Sequence, residues 1–565
     1  MKKPIAVSAL MLSMALACGI SYAQGPAARP SVLTNPNVSS AAHSDISQPL
    51  RQLALTQTVR PGEEEDHGVL LPKLAKQQAF TTVGRPVAIG AAAQITPMTA
   101  TPAIVGANVL GVGLGFHGYT VSNAPTDSNL SVGDTQVVQW NNVSYAVFNK
   151  TGDYLAGPIL GNALWAGFGG GCETRNSGDI IAQWDKVAHR WVLFQPVFSA
   201  PYMSCFAIST SADALGTYYR YSFFTTPPAG ANFPDYPKLG IWTNAYYQSN
   251  NVFNAAGTAF LGAEPCAYER AKMLVGDATA KQICFLDNSL GTLFDDSMLP
   301  ADLDSENSLP PVGADEVFVG SIDNFSSETH VYEYVFHVDW TTPALSTFTG
   351  VNGAMPISVS GAGPAFVGLC NFGSSACVPQ KSTTAKLDSL GDRLMYRLAY
   401  RRSATAHNNY QSWLVSHSIA NGSTGAMRWY EFRAPIATPT ALTLYQGGTY
   451  APDATYRFMG SLAMDQAGNI LMGYSRSSTT LNPDIYVAGR LSTDPLGTMG
   501  GELVIVDQTV ATGSQPDTSS RWGDYTSMAI DNDGCTFWYT NQYYSVTTRF
   551  DWSTRVASIR FPSCH

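Results

Sequence analysis

The sequence predicts an all-β fold, a β-propeller of seven four-stranded blades behind a weakly structured N-terminal arm. Three observations predict it. First, a turn phrase recurs: Ser211-Ala-Asp213-Ala-Leu-Gly216-Thr217-Tyr218 returns as Ser492-Thr-Asp494-Pro-Leu-Gly497-Thr498, with a looser echo at Asp287-Asn-Ser-Leu-Gly291-Thr292. A turn repeated between β-rich runs marks an array of like sheets. Second, charged residues are 13% and aromatics 11%, and glycine numbers 50, the balance of a turn-rich β protein. Third, no long segment holds a 3.6-residue apolar period, and the βα alternation of a parallel sheet is missing. The rival fold is a pair of β-sandwiches.

The N-terminus reads as a signal peptide over residues 1–23. Met1-Lys2-Lys3 is basic, Ile5 to Leu16 is mostly apolar, and Ser21-Tyr22-Ala23 has the small-x-small form of a cleavage site. The alternative is a lipoprotein signal at Ala15-Leu16-Ala17-Cys18, where alanine stands in place of the usual leucine. Residues 24–120 read as an arm or linker, rich in Pro, Ala, Ser and Thr, with a charge run at Glu63-Glu64-Glu65-Asp66. Gly106 to Gly118 is glycine-rich and apolar, suited to an outer strand. Residues 121–565 form the expected propeller domain. Nothing after the leader is apolar and long enough to span a membrane. The expected location is therefore outside the cytoplasm: periplasmic, extracellular or on the cell surface.

Cysteine usage fits an exported chain. Of nine cysteines, cleavage would remove Cys18, leaving Cys172, Cys205, Cys266, Cys284, Cys370, Cys377, Cys535 and Cys564. An even set outside the cytoplasm implies disulfides, and pairing of sequence neighbours is the simplest of the open connectivities. Zinc is disfavoured because no C-x-x-C pair with matching histidines exists.

Strand openings follow one another along the domain. Thr135 to Trp140 and Ser144 to Phe148 flank Asn141-Asn142; Asp179 to Trp184 and Arg190 to Phe194 repeat that design. Later openings begin at Asp235, Glu316, Gly391, Met459 and Gly523. Asp465-Gln-Ala-Gly-Asn469 and Asp531-Asn-Asp-Gly534 read as hairpin turns, since Asx and glycine accept positive φ.

The runs Leu387 to Tyr400, Phe233-Pro-Asp-Tyr-Pro-Lys238 and Arg521-Trp-Gly-Asp-Tyr525 resemble a widespread, uncharacterised family of exported bacterial propellers, loosely sialidase-like. The resemblance covers about residues 125 to 564 and implies a fold without implying catalytic residues. The sialidase turn runs S-x-D-x-G-x-T-W. Here the glycine falls one place later, and Tyr218 or Met499 replaces the tryptophan.

In a propeller, residues at the start of each inner strand converge at one mouth of the channel. Asp134, Asp179, Asp235, Asp392 and Asp524 hold comparable places. Paired carboxylates suit acid–base work on a glycosidic bond, so Asp235 or Asp392 is read as acid or base with Asp524 as partner. Recurrent aspartates equally serve as turn caps. Arg393, Arg457 and Arg521 suit an anionic sugar, or inter-blade ion pairs. Trp522 and Trp165 suit stacking on a sugar ring. Glu173, in Gly169-Gly-Gly-Cys-Glu-Thr-Arg175, is a further catalytic candidate; the same glycines also suit a tight crossing. Asp302 and Asp304, beside Asp295 and Asp296, form an acidic loop whose oxygens suit a structural calcium, though the EF-hand spacing is absent.

The net charge of -10 argues against nucleic-acid binding through a basic field. No H-E-x-x-H, G-x-S-x-G or P-loop pattern occurs, which leaves a zinc protease, an α/β-hydrolase and a nucleotide enzyme unsupported. The expected partner is a glycan or a cell-surface ligand. The functional expectation is an exported propeller engaging carbohydrate, an acidic glycan included, at the channel mouth. If it is an enzyme, it is a glycoside hydrolase of sialidase-like architecture. The alternative is a non-catalytic adhesion or protein-binding propeller.

Overall fold

The computed structural model describes residues 31–56, 93–94, 100–121, 124–225, 230–288, 295–321, 327–370, 376–405, 408–438, 440–516 and 521–565. The signal-peptide reading, the run at Glu63–Asp66 and the end of the Asp287 phrase lie outside the described residues.

The chain is mostly β, in six sheets. Ser128–Val132, Gln136–Asn141, Ser144–Asn149 and Tyr154–Leu160 make a four-stranded antiparallel meander. A second sheet runs Ile181–Asp185, Arg190–Val197, Met203–Ser209, Tyr218–Phe224. A third runs Phe233–Ile241, Tyr246–Phe253, Phe260–Tyr268, Lys281–Cys284. Tyr456–Met464, Ile470–Ser478, Leu481–Arg490 and Glu502–Val506 form another. Ser527–Ile530, Thr536–Tyr543 and Ser553–Arg560 form the last, with Ile104–Leu110 as its fourth strand.

The remaining sheet has eleven strands and corrects the expected architecture. Leu299 and Pro300 pair antiparallel with Phe318 and Val319, but Ala301 to Leu303 turn to pair in parallel with Leu398 to Tyr400. That parallel joint fuses two runs that the sequence separates. The result, among the described residues, is six open sheets, none closed on itself, in place of seven discrete blades in a closed radial ring. The seven-bladed propeller and its sialidase-like label are therefore withdrawn. A parallel joint leaves no turn signature, which is why spacing of turns misses it.

The N-terminal arm is also corrected where it is described. Asn37–Ser40 pairs with Lys281–Cys284, and His43–Ile46 with Tyr218–Phe224. Val32–Leu33 pairs with Thr347–Thr349 and Ala93–Gln94 with Thr449–Tyr450. An outer strand presents unpaired N–H and C=O groups, and these short segments cover them.

The recurring phrases are hairpin turns. Ser211 to Thr217 links the third and fourth strands of one sheet, and Ser492 to Met499 does so in another. Asp213 Oδ1 accepts from the Leu215 N–H at 2.9 Å, and Asp494 Oδ2 from the Leu491 N–H at 2.8 Å. Four disulfides join sequence neighbours: Cys172–Cys205, Cys266–Cys284, Cys370–Cys377 and Cys535–Cys564. Among the described residues no helix is long and apolar enough to cross a membrane.

Core residues lie on both faces of the first strands. Ile181–Asp185 and Leu299–Leu303 are buried throughout. First strands of successive sheets pack side by side: 128–132 on 181–185, 181–185 on 233–241, 233–241 on 299–303, 395–405 on 456–464, 456–464 on 527–530, and 527–530 on 128–132. This packing brings the segments that enter those strands together, and they carry the candidate site.

Candidate functional site

The entering segments share an unusual backbone. Asp127 (φ 48°), Asp179 (φ 48°), Tyr236 (φ 53°), Leu390 (φ 43°) and Met459 (φ 54°) all adopt left-handed conformations at or before a first strand. Aspartate tolerates this region; tyrosine, leucine and methionine hold it at a cost of about 1–3 kcal/mol each. The ladder slips between Asp235 and Lys238, so Tyr236 and Pro237 leave the regular register. Such a bulge re-aims side chains at the end of a sheet.

These segments assemble one polar cluster. Asp127 Oδ1 accepts from the Asp524 N–H at 2.8 Å. Arg521 Nη2 donates to Asp524 Oδ2 at 2.6 Å, with both side chains about one-sixth exposed (17% and 16%). Arg393 donates to Asp392 through a two-bond fork at 2.9 and 2.8 Å. Lys238 is buried, with Nζ 3.4 Å from the Tyr236 ring centroid and 4.2 Å from that of Tyr525. Nζ donates to the Pro237 carbonyl at 2.8 Å. The Arg393 guanidinium stands 4.4 Å over the same Tyr236 ring. Asp179 and Asp235 are half-buried at the edge of this group.

Burial, modified by neighbouring charges, sets the protonation of the cluster. Burial pushes the Asp235 carboxyl up to about 7, with the Asp179 charge adding to the effect and Arg393 opposing it. Asp127 is raised well above the carboxylate range by burial and then by Asp524 and Asp179. Asp179 is raised by burial, opposed by Lys238. Burial lowers Lys238 to about 8 against the pull of Asp179, Asp127 and Asp524. The cluster thus holds protons near neutrality that isolated carboxyls would have lost.

Of the expected residues, Asp179, Asp235, Asp392, Asp524, Arg393 and Arg521 come together here. The others lie elsewhere. Glu173 accepts the Gly167 and Gly169 N–H groups at 2.9 and 2.7 Å, closing its own glycine loop. Glu173→Ala is expected to cost about 1 kcal/mol, read as a lower denaturation midpoint; unchanged stability would contradict that role. Arg457 is fully buried and donates to Glu502 and Asp453, both at 2.8 Å. Trp522 is buried and donates to Ser475 Oγ at 3.1 Å, and Trp165 is a core side chain. Asp302 and Asp304 face Arg397, and Asp302 Oδ1 also accepts from the Ile241 N–H at 3.1 Å. Among the described residues no group of three or more His, Cys, Asp or Glu is gathered as a metal-ligand set. Asp134 sits apart, against His189 and Asn532.

Sequence reading missed Asp127, Lys238, Tyr236 and Tyr525 as members. The signal for Lys238 and Tyr236 was present in Phe233-Pro-Asp-Tyr-Pro-Lys238, where prolines alternate with polar residues inside a strand and predict a bulge.

No family model and no curated protein sequence matches the chain. Solved structures give distant likenesses. An α-L-arabinofuranosidase from Podospora anserina, in complex with cellotriose, is 9% identical, covering 60% of this chain and 95% of its own, with TM-score 0.28. A protein of unknown function from Dyadobacter fermentans is 8% identical, covering 81% and 100%, with TM-score 0.34. A subtype N11 neuraminidase-like protein from a flat-faced bat influenza A virus is 8% identical, covering 71% and 99%, with TM-score 0.33. These scores assign neither fold nor chemistry. The expected membership in an exported propeller family is corrected by the sheet topology of the described residues. Among the described residues the six sheets are open and the expected channel-mouth geometry is absent, so both expectations built on it, the sialidase-like glycosidase and the adhesion propeller, are withdrawn.

Proposed function

We propose that the cluster around Asp235 is a binding site with acid–base capacity for a polyhydroxylated ligand of the saccharide class. Asp235 is the group that exchanges a proton, and Asp179, Asp524 and Arg521 supply neighbouring acceptors and donors. The observation that carries this is the half-buried Asp235 carboxyl, held near neutrality by burial and by Asp179. A general acid–base group works best when its pKa lies near ambient pH. Vicinal hydroxyls donate and accept at once, which matches alternating carboxylate and guanidinium partners.

The test is calorimetry of the full chain against a panel of monosaccharides and disaccharides between pH 6 and 8. At least one should bind, with proton exchange visible as a buffer-dependent enthalpy. Asp235→Asn should weaken that binding about fivefold, the worth of about one hydrogen bond. Binding that is identical in the variant, or no binding by any member of the panel, would contradict the reading.

A further inference from the structure

We infer that the Asp235 cluster selects a ligand carrying a protonated amine, and this deepens the reading above, on which it rests. The expectation from sequence was the opposite, arginines gripping an anionic sugar. The structure removes each arginine from that task. Arg393 is forked onto Asp392, Arg521 is paired with Asp524, and Arg457 lies apart with Asp453 and Glu502.

What is left is a surplus of acid. Asp235 is faced by Asp179 from the segment entering 181–185, by Arg393 from that entering 395–405, and by Asp524 and Arg521 from that entering 527–530, while Asp392 stands among the charges around Tyr236. Asp127, ahead of 128–132, completes the ring of neighbours, while Lys238 and Tyr236 lie on the strand of Asp235 itself. Five carboxyls thus stand against three cations. Lys238 is turned onto the rings of Tyr236 and Tyr525, and the Asp235 carboxyl accepts no hydrogen bond from the described residues, its backbone being paired with Asn251.

A second observation points to a ligand. Tyr236 is 3% exposed, and its hydroxyl has no partner among the described residues. It lies among the same charges, between Lys238 and Arg393, in a strained left-handed conformation. A buried phenol oxygen left unpaired is costly, and an ammonium N–H entering this group of charges, which includes Asp524, Asp392 and Asp179, would satisfy it.

Binding then proceeds as an exchange. The Asp235 carboxylic acid releases its proton to solvent, and the carboxylate formed pairs with the incoming ammonium. No bond to carbon is made or broken. Affinity should therefore rise with pH, because below neutrality the ligand must displace a bound proton.

The probes are glucose and 6-amino-6-deoxyglucose, tested by calorimetry with the full chain. The primary amine stays charged through this range, as an alkylammonium does. The amino sugar should bind about tenfold tighter than glucose or better at pH 8. Its affinity should rise about tenfold from pH 6 to 8, with close to one proton released at pH 6 and almost none at pH 8. Asp235→Asn should erase both the preference and the pH dependence, and Asp179→Asn should reduce them if the first variant folds poorly. Equal affinity for the two sugars, or an amino-sugar affinity flat with pH, overturns the amine inference and leaves the binding reading standing. Failure of both sugars and of the wider panel overturns the binding reading and this inference with it.

Discussion

Replacing Arg397 by methionine is expected to lower stability by about 3–5 kcal/mol, the cost of stripping one partner from a buried ion pair. Arg397 is buried and holds Asp302 at 2.9 Å and Asp304 closer still. Its Nε also donates to the Met528 carbonyl at 2.8 Å, in the neighbouring sheet. The side chain thus secures the parallel joint between 301–303 and 398–400 and ties it to 527–530. Without it two aspartates face one another in the interior with Lys186, itself lowered to about 8 by burial, and Arg401 beside Asp304 as the nearby cations. Denaturant midpoints of the purified variant check this. Adding Asp302→Asn and Asp304→Asn should recover part of the loss, because the uncompensated charges are then gone. A shift below about 1 kcal/mol would contradict a buried ionic joint.

Asp235→Asn is expected to stabilise the fold at pH 8 and to leave it unchanged at pH 4. The folded-state carboxyl is raised to about 7, against an ordinary value near 4. Below pH 4 it is protonated folded and unfolded alike, so its full contribution is present there. As pH rises toward 7 the unfolded state sheds the proton first, and stability is lost until the folded group ionises too. Three units correspond to about 4 kcal/mol, and the solvent contact of Asp235 reduces the expected gain to about 2 kcal/mol. Thermal melts of both proteins across pH 4 to 8 measure the difference. A gap that is constant with pH would count against the shifted carboxyl.

What was legible in the sequence was local. The hairpin phrases at Asp213 and Asp494 encode turns through their own side chains, so a few residues suffice to find them. The disulfides follow the same logic, since Cys266 and Cys284 face each other across adjacent strands. The aspartates at strand entries were visible as a recurring position, and four of the five, Asp179, Asp235, Asp392 and Asp524, meet. Non-local facts were not legible. The turn of Ala301–Leu303 into a parallel pairing depends on a partner almost a hundred residues away in sequence, about which nothing in the strand itself speaks. Asn37–Ser40 and His43–Ile46 are too short and polar to show alternation, and they become strands only because an edge is there to meet them. Trp522 and Trp165 looked like stacking platforms; burial in the core was the commoner fate of large aromatics. The arginines looked like anion grips because sequence shows a cation without showing its partner. Arg393 and Arg521 both carry an aspartate within three residues, and that proximity was the available warning.

The central claim is that a carboxyl at Asp235 stays protonated near neutrality because burial disfavours its charged form, with the Asp179 and Asp524 charges adding to the effect. The most direct measurement is a titration of carboxyl-labelled aspartates in the full chain by nuclear magnetic resonance, repeated with Asp235→Asn. The account predicts a resonance with a midpoint near 7 that is missing from the variant. A spectrum in which every resonance lost with Asp235 titrates near 4 would contradict it.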